Sequence, residues 1–209
     1  SLSNEITIKI LEGWTNQEIA GYLASVTVVS SEEFLAAAKL NNNSYQFDFL
    51  PTSGNIQTLE GYLFPDTYRI FRNTTAQDII NKMLENFDKK LSRELRQEID
   101  RQNKTIHQIL IMASILEEEA ISDQDRAKIA DIFWRRIAAK MPLQADSTVN
   151  YITGKKDPAV SYQDLGIEDP YNTYKYKGLP PGPISNPGLA AIRSASYPEK
   201  NNFWYFLSN

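Results

Sequence analysis

The chain has no cysteine. That removes disulfides, thiolate metal sites and cysteine nucleophiles together, and it leaves the redox compartment open. Histidine is nearly as scarce. His107 is the only one, so Ser-His-Asp catalysis would have to run through that ring and a multi-histidine metal site is excluded. Its place early in a helical pattern reads as a locally satisfied helix residue. No run of about 18 apolar residues is present, and no charged-then-apolar signal segment opens the chain. Positive charge is not in excess: 22 Lys and Arg stand against 26 Asp and Glu, a net charge of -4. They are scattered, so no basic stripe exists to neutralise phosphates and nucleic acid is not an expected partner. There is also no phosphate-cradling glycine loop, no internal repeat and no calcium-loop spacing. No cofactor and no metal are expected.

What remains is ordinary for a globular protein: 209 residues, 42% hydrophobic and 23% charged, enough to bury a real core. The abrupt start "SLSNEITIKI" and the aromatic end "NNFWYFLSN" are read as the ends of a soluble piece of a longer protein.

"EITIKI" alternates as a half-buried strand does, and "LEGWTNQEIAGYLA" supplies a turn at Gly13, an N-cap at Thr15 and a capping-box Glu18. "SSEEFLAAAKL" repeats the device with Ser30 or Ser31 as cap. After the polar loop "NNNS", the segment "TLEGYLFPDTYRIF" reads as a strand kinked or edge-placed by Pro65. Residues 1–72 therefore form a β-α-α-β unit. From Thr75 the periodicity predicts helices over about 76–90, 91–102, 105–121 and 123–140, the last capped by Asp123. Beyond Met141 the chain is loop-rich, "YNTYKYKGLPPGPISNPG", then a short helix "LAAIRSAS" and a closing strand "FWYFL". The fold class is α+β, with a mostly helical centre and a loop-rich, short-stranded C-terminal part. The rigid, aromatic loop suits a cleft wall.

The third helix ends in three glutamates, "ASILEEEA". With Ile106 at zero on a helical wheel, Glu117 falls at ~20°, within the stripe of Ile109, Leu110, Ala113 and Ala120, while Glu118 falls at ~120° and Glu119 at ~220°. Glu117 is the misplaced charge, Glu118 reads as a solvated helix end, and Glu119 is partly covered. A carboxyl in an apolar pocket holds its proton towards neutral pH, as an acid that protonates a glycosidic oxygen must. Downstream, Tyr151, Tyr162, Tyr171, Tyr174 and Tyr176 can stack on sugar faces, and Gln144, Asn172 and Asn186 can bond hydroxyls and acetamides.

Four segments, "LEGYLFPDTY" (59–68), "ASILEEEA" (113–120), "LQADSTVNYITG" (143–154) and "YNTYKYKGLPPGPISNPG" (171–188), resemble in order and spacing the YceG-like, or MltG, family of endolytic murein transglycosylases. "ITIKILEGWTNQEIAGYLA" is similar to the LysM-like subdomain that precedes them. The resemblance implies a LysM-like subdomain over 1–72 and a C-terminally truncated catalytic domain over 73–209. It implies a bacterial enzyme cutting the β-1,4 bond between N-acetylmuramic acid and N-acetylglucosamine in nascent peptidoglycan and leaving 1,6-anhydromuramic ends. Peptidoglycan strands and cell-wall synthases are the implied partners. The implied location is the extracytoplasmic side of the cell membrane, through an N-terminal helix absent from this sequence. The family's longer C-terminal strand region with a histidine is absent too.

The family's catalytic glutamate carries over to Glu117, and Glu119 is the second acid of the motif. By motif membership Gln144, Asp146, Thr148, Asn172, Thr173 and Tyr174 orient substrate and stabilise the oxocarbenium ion, while Glu60 and Asp66 either line the cleft or tie the two domains together. Two competing readings stay open. One is a muramidase-type hydrolase with Asp146 or Glu119 as second carboxylate, ~5 to 5.5 Å away if retaining and ~6.5 to 9.5 Å if inverting. The other is a non-catalytic glycan-binding scaffold.

Overall fold

The computed structural model describes residues 4–40, 45–51, 57–120, 122–155 and 160–206. The elements run β1 (Glu5–Lys9), α1 (Asn16–Ser25), α2 (Ser31–Ala37), β2 (Thr67–Phe71), α3 (Ala76–Lys90), α4 (Arg93–Arg101), α5 (Ile106–Glu119), α6 (Asp123–Ala138), α7 (Asp146–Thr153), α8 (Tyr162–Leu165) and α9 (Leu189–Ser196). The class is α+β. The "NNNS" stretch lies outside the described residues.

The first unit has the expected β-α-α-β order. β1 and β2 pair antiparallel with Ile8 opposite Tyr68 and Ile6 opposite Ile70, which puts Ile8, Tyr68 and Ile70 on the buried face. Capping boxes start both helices, Thr15 with Glu18 and Ser30 with Glu33. The "LEGYLFPDTY" segment is strand only from Thr67 onward, which corrects the longer expectation. Gly61 N–H and Leu63 N–H both donate to the Asn186 side chain, at 2.9 and 3.0 Å, so this backbone is bonded through a side chain and not through a ladder. Gly61 takes φ +87, and a Cβ there would meet Pro183 Cγ at 2.4 Å; only glycine fits.

The helices then follow the predicted order, within two residues at each described end. Thr75, Ser92, Thr105 and Ser122 cap α3 to α6; Ser122, not Asp123, is the cap of α6. α5 is buried along its length from Ile109 to Leu116 and packs most extensively against α9. One connected apolar core runs from Ile8 through Tyr62, Phe87 and Leu116 to Ala195. No helix among the described residues is long and apolar enough to cross a membrane.

Two departures lie in the C-terminal part. α7 and α8 occupy a region expected to be loop. The predicted closing strand is absent over residues 203–206, because its carbonyls are taken by arginines: Arg136 Nε donates to Trp204 O at 2.9 Å, and Arg135 bonds Phe203 O. Arg135 and Arg136 also lie over the Trp204 and Tyr205 rings.

Candidate functional site

α5 ends at the edge of a cleft of about 1440 Å³. Its walls come from the turn after β1 and the start of α1 (Glu12 to Glu18), from Thr58 and Glu60, from Glu117 to Ala120, and from α7 and the following loop, including Asp146, Ser147, Tyr151 and Tyr171. The first unit thus supplies a full wall of the site. Clefts of this kind, with polar groups converging on an aromatic wall, are where ligands bind.

The three consecutive glutamates go three ways. The Glu117 side chain is 8% exposed. Its Oε2 accepts the Gly188 N–H at 2.8 Å and its Oε1 accepts Arg126 Nη2 at 3.1 Å. Gly188 is the N-cap of α9 and brings no capping side chain; Glu117 accepts that residue's own N–H, the bond an N3 glutamate makes in a capping box, and meets the positive end of the helix dipole. Burial raises its pKa; the Gly188 N–H and Arg126 oppose the rise, and the charges of Glu12 and Asp123 add to it.

Glu119 turns the other way. Its Oε1 accepts the Ser147 hydroxyl at 2.7 Å and the Ser147 N–H at 3.2 Å. That is the first turn of α7, whose N-cap, Ala145, likewise has no capping side chain. Burial raises the Glu119 pKa as well, with Ser147 lowering it and Asp146 raising it.

Glu118 lies between them and is exposed, as the wheel predicts, but it faces the cleft and not open solvent. The flanking protein desolvates its carboxylate despite that exposure. Repulsion from Glu117, Glu18 and Glu119 adds to this, and the Ser185 hydroxyl only partly offsets it, so its pKa is pushed up to about 7. Gly13, at φ +79, makes room for it: a Cβ there would sit 2.8 Å from Glu118 Oε1. Glu12 packs in the same way on Gly188, where a Cβ would sit 1.9 Å from Glu12 Oε1.

Of the residues singled out in the sequence, the structure brings Glu60, Glu117, Glu119, Asp146, Tyr151 and Tyr171 together around the cleft. Tyr174 reaches it indirectly, through its hydroxyl on Asp146 Oδ1. Others are scaffold. Asn186 is fully buried; Nδ2 donates to Trp14 O at 2.9 Å and Glu60 Oε1 at 3.2 Å, while Oδ1 holds the 61–63 backbone as above. Asn172 is fully buried too, donating to Leu165 O and Ile167 O and accepting from the Tyr174 N–H. Thr148 and Thr173 bond each other at 2.9 Å inside the core. These four shape the loop and do not offer their side chains to a sugar.

Gln144 is exposed at φ +55 and is not among the lining residues. Asp66 is away from the cleft, bonded by Asn86 and paired with Lys90 at 3.7 Å. Tyr162 is 96% exposed, and Tyr176 donates to Glu168; neither lines the cleft. His107 is satisfied as expected, between the Tyr62 hydroxyl at 2.7 Å and Pro181 O at 3.3 Å. Among the described residues no group of three or more His, Asp and Glu is arranged to hold a metal ion.

Sequence reasoning missed Glu12, Trp14, Glu18, Arg126, Ser147 and Gly188. The "EGW" turn was a visible signal for the first two. Arg126 had none, since its contact with Glu117 depends on how α6 folds back on α5.

The YceG-like family model matches residues 1–209. A Bacillus subtilis protein named endolytic murein transglycosylase is 39% identical over 213 residues, covering 96% of this chain and 58% of the relative. A Streptococcus pneumoniae protein of the same name is 35% identical over 224 residues, covering 97% of this chain and 40% of its own length. The chain therefore spans about half the length of these relatives. The crystal structure of a yceG-like protein from Listeria monocytogenes superposes with a TM-score of 0.82 at 34% identity, covering 97% of this chain and 70% of that one.

Proposed function

This chain belongs to the YceG-like family, and from that premise we propose that it is a lytic transglycosylase of peptidoglycan with Glu117 as general acid and base. The observation that carries the assignment is the setting of Glu117. It is desolvated at the edge of the cleft and held in one orientation by Gly188 N–H and Arg126.

Burial favours the protonated carboxyl that donates to the glycosidic oxygen between N-acetylmuramic acid and N-acetylglucosamine. As the C1–O bond breaks, Glu117 becomes a carboxylate. Arg126 and the Gly188 N–H then stabilise the charge that develops, in a site that needs no reorganisation. The carboxylate takes the proton of the muramic acid C6 hydroxyl, whose oxygen closes on C1 to give a 1,6-anhydro end, and the carboxyl is restored. No water is consumed. A tethered, oriented hydroxyl reaches effective molarities of ~10⁵ M or more, which is why a single acid suffices. Asp146, held by Tyr174, faces the same cleft and is the group we assign to the developing positive charge. Glu119, committed to Ser147, is not assigned a chemical step.

In this reading the β1-α1-α2-β2 unit is the LysM-like part, and its Glu12–Glu18 wall holds the glycan against α5. Murein lies outside the cell membrane, so the reaction places the protein on the extracytoplasmic side.

The test is the product. Purified peptidoglycan digested in ¹⁸O water should give 1,6-anhydromuramic ends without label. Labelled reducing muramic ends would make the protein a muramidase, and no cleavage under any condition would leave a glycan-binding scaffold.

A further inference from the structure

Glu60 has one oxygen anchored and one unclaimed. Oε1 accepts the Asn16 backbone N–H at 2.8 Å and Asn186 Nδ2 at 3.2 Å. Among the described residues no donor reaches Oε2, and Glu60 lines the cleft. The groups packed around it are Glu18 and the Asn16 side-chain amide from α1, the latter 3.3 Å from Oε1, Asn186 from the loop before α9, Tyr151 from α7 and Tyr171 beyond α8. No cation is among them. The two tyrosine rings lie 5.1 Å apart, tilted by 44°, and form an aromatic wall beside the carboxyl.

We propose that Glu60 is a neutral hydrogen-bond donor, through Oε2–H, to the 2-acetamido carbonyl of a hexosamine bound in the cleft, with the acetamide methyl packed on the Tyr151–Tyr171 wall. The proposal rests on the glycan-cleaving reading above and adds a residue that selects for N-acetylated sugar.

The reasoning turns on where the proton sits. Burial, then the Glu18 charge, pushes the carboxyl up to about 8 against the lowering by Asn16 and Asn186, so it is protonated at neutral pH. Because Oε1 already accepts two donors, the proton belongs on Oε2. A carboxylic acid in a desolvated site donates well, and a ligand that fails to accept leaves that donor unpaired. Of the groups on a hexosamine, the acetamide carbonyl is an acceptor with no donor of its own, and its methyl is the apolar part that an aromatic face accommodates.

Binding is measured calorimetrically in the Glu117→Gln background, with the N-acetylglucosamine tetramer as probe and the glucose tetramer as control. Affinity for the acetylated probe should fall about tenfold between pH 6 and pH 9.5, as Glu60 ionises and turns lone pairs towards the carbonyl. Glu60→Leu should weaken acetylated binding about tenfold at pH 6. Glu60→Gln, whose amide N–H replaces the O–H, should recover most of it and remove the part of the alkaline fall that belongs to Glu60. The glucose tetramer should discriminate among none of these variants.

Equal affinity of Glu60→Leu and the parent, or a Glu60→Gln variant as weak as Glu60→Leu, would overturn the proposal. Thermal melts of each variant separate a lost contact from a lost fold. A chain that shows this binding pattern but no turnover on peptidoglycan would overturn the transglycosylase reading and leave the Glu60 assignment standing.

Discussion

Gly188 donates its backbone N–H to Glu117 Oε2 at 2.8 Å, across 71 residues of chain. The N-terminus of α9 is thereby capped by the acid at the end of α5. Glu119 does the same for α7 through Ser147. The final turn of α5 is thus a joint from which two later helices are hung, and the acid proposed for chemistry is fixed by the same bond that starts α9. Substituting Gly188 should show it. A Cβ at Gly188 would meet Glu12 Oε1 at 1.9 Å and Cδ at 2.2 Å, while its φ of -76 suits any residue. Gly188→Ala should therefore fold, displace Glu12 and shift the N–H from Glu117. Turnover should drop ~10- to 100-fold, the scale of a sub-ångström to 1 Å misplacement. Rates set beside melting curves check it; full activity would show that the aim of Glu117 does not depend on this bond.

Arg126 is the second hold on Glu117, and both side chains are 8% exposed. Arg126→Met removes the charge that lowers the Glu117 pKa, so burial raises it further and the alkaline limb of the pH–rate profile should move to higher pH. Breaking a buried pair costs ~3 to 5 kcal/mol when the remaining charge cannot neutralise, and less where it can. With its folded pKa above the unfolded value, Glu117 in the variant binds more protons folded than unfolded. The stability deficit should accordingly be small near pH 4.5 and grow as pH rises through the folded pKa. Melts at pH 4.5, 6 and 8 test the sign.

Glu118 is coupled to Glu117 by repulsion. The repulsion acts on Glu118, while the Glu117 pKa is set by burial, Gly188, Arg126, Glu12 and Asp123, so Glu118→Gln should leave the alkaline limb in place and change the maximal rate by less than about tenfold, below the usual range for a lost acid-base group. Glu117→Gln, by contrast, should cost at least ~10²- to 10⁴-fold at every pH. If the two variants exchanged roles, Glu118 would be the proton carrier.

Local chemistry made much of this legible. Capping residues and apolar periodicity place α1, α2, α3, α5 and α6 because their start signals lie within four residues of the helix they start. α7 escaped because its cap is supplied by Glu119, 28 residues upstream, and Ala145 gives no local sign. The motif residues near the cleft were found, but not their direction. Asn172, Asn186, Thr148 and Thr173 turn inward because each satisfies buried backbone or hydroxyl groups, a demand that exists only once the loop is closed. Glu117 was legible because the helical wheel placed it on the buried stripe. Glu12 and Glu18 were visible as turn and capping residues but not as cleft residues, because their proximity to α5 follows from how the first unit packs.

Asn186 carries the last and sharpest consequence. Its Oδ1 holds the Gly61 and Leu63 N–H groups, and its Nδ2 donates to Trp14 O and Glu60, all around a fully buried side chain. Asn186→Ala strands two buried donors at ~1 to 3 kcal/mol each. At about 2 to 4 °C per kcal/mol for this chain length, the melting temperature should fall by at least ~4 °C. Asn186→Asp keeps the acceptor but loses the donor, and it sets a buried carboxyl against Trp14 O and Glu60. The folded pKa of that carboxyl is then raised above the ordinary range of ~4. Protonated, it can donate in place of Nδ2; ionised, it repels both neighbours. The variant should therefore melt close to the parent near pH 4 and progressively below it as pH rises towards 8. A deficit that does not change between those two pH values would show that the staple works by shape alone, with no contribution from the donor at Nδ2.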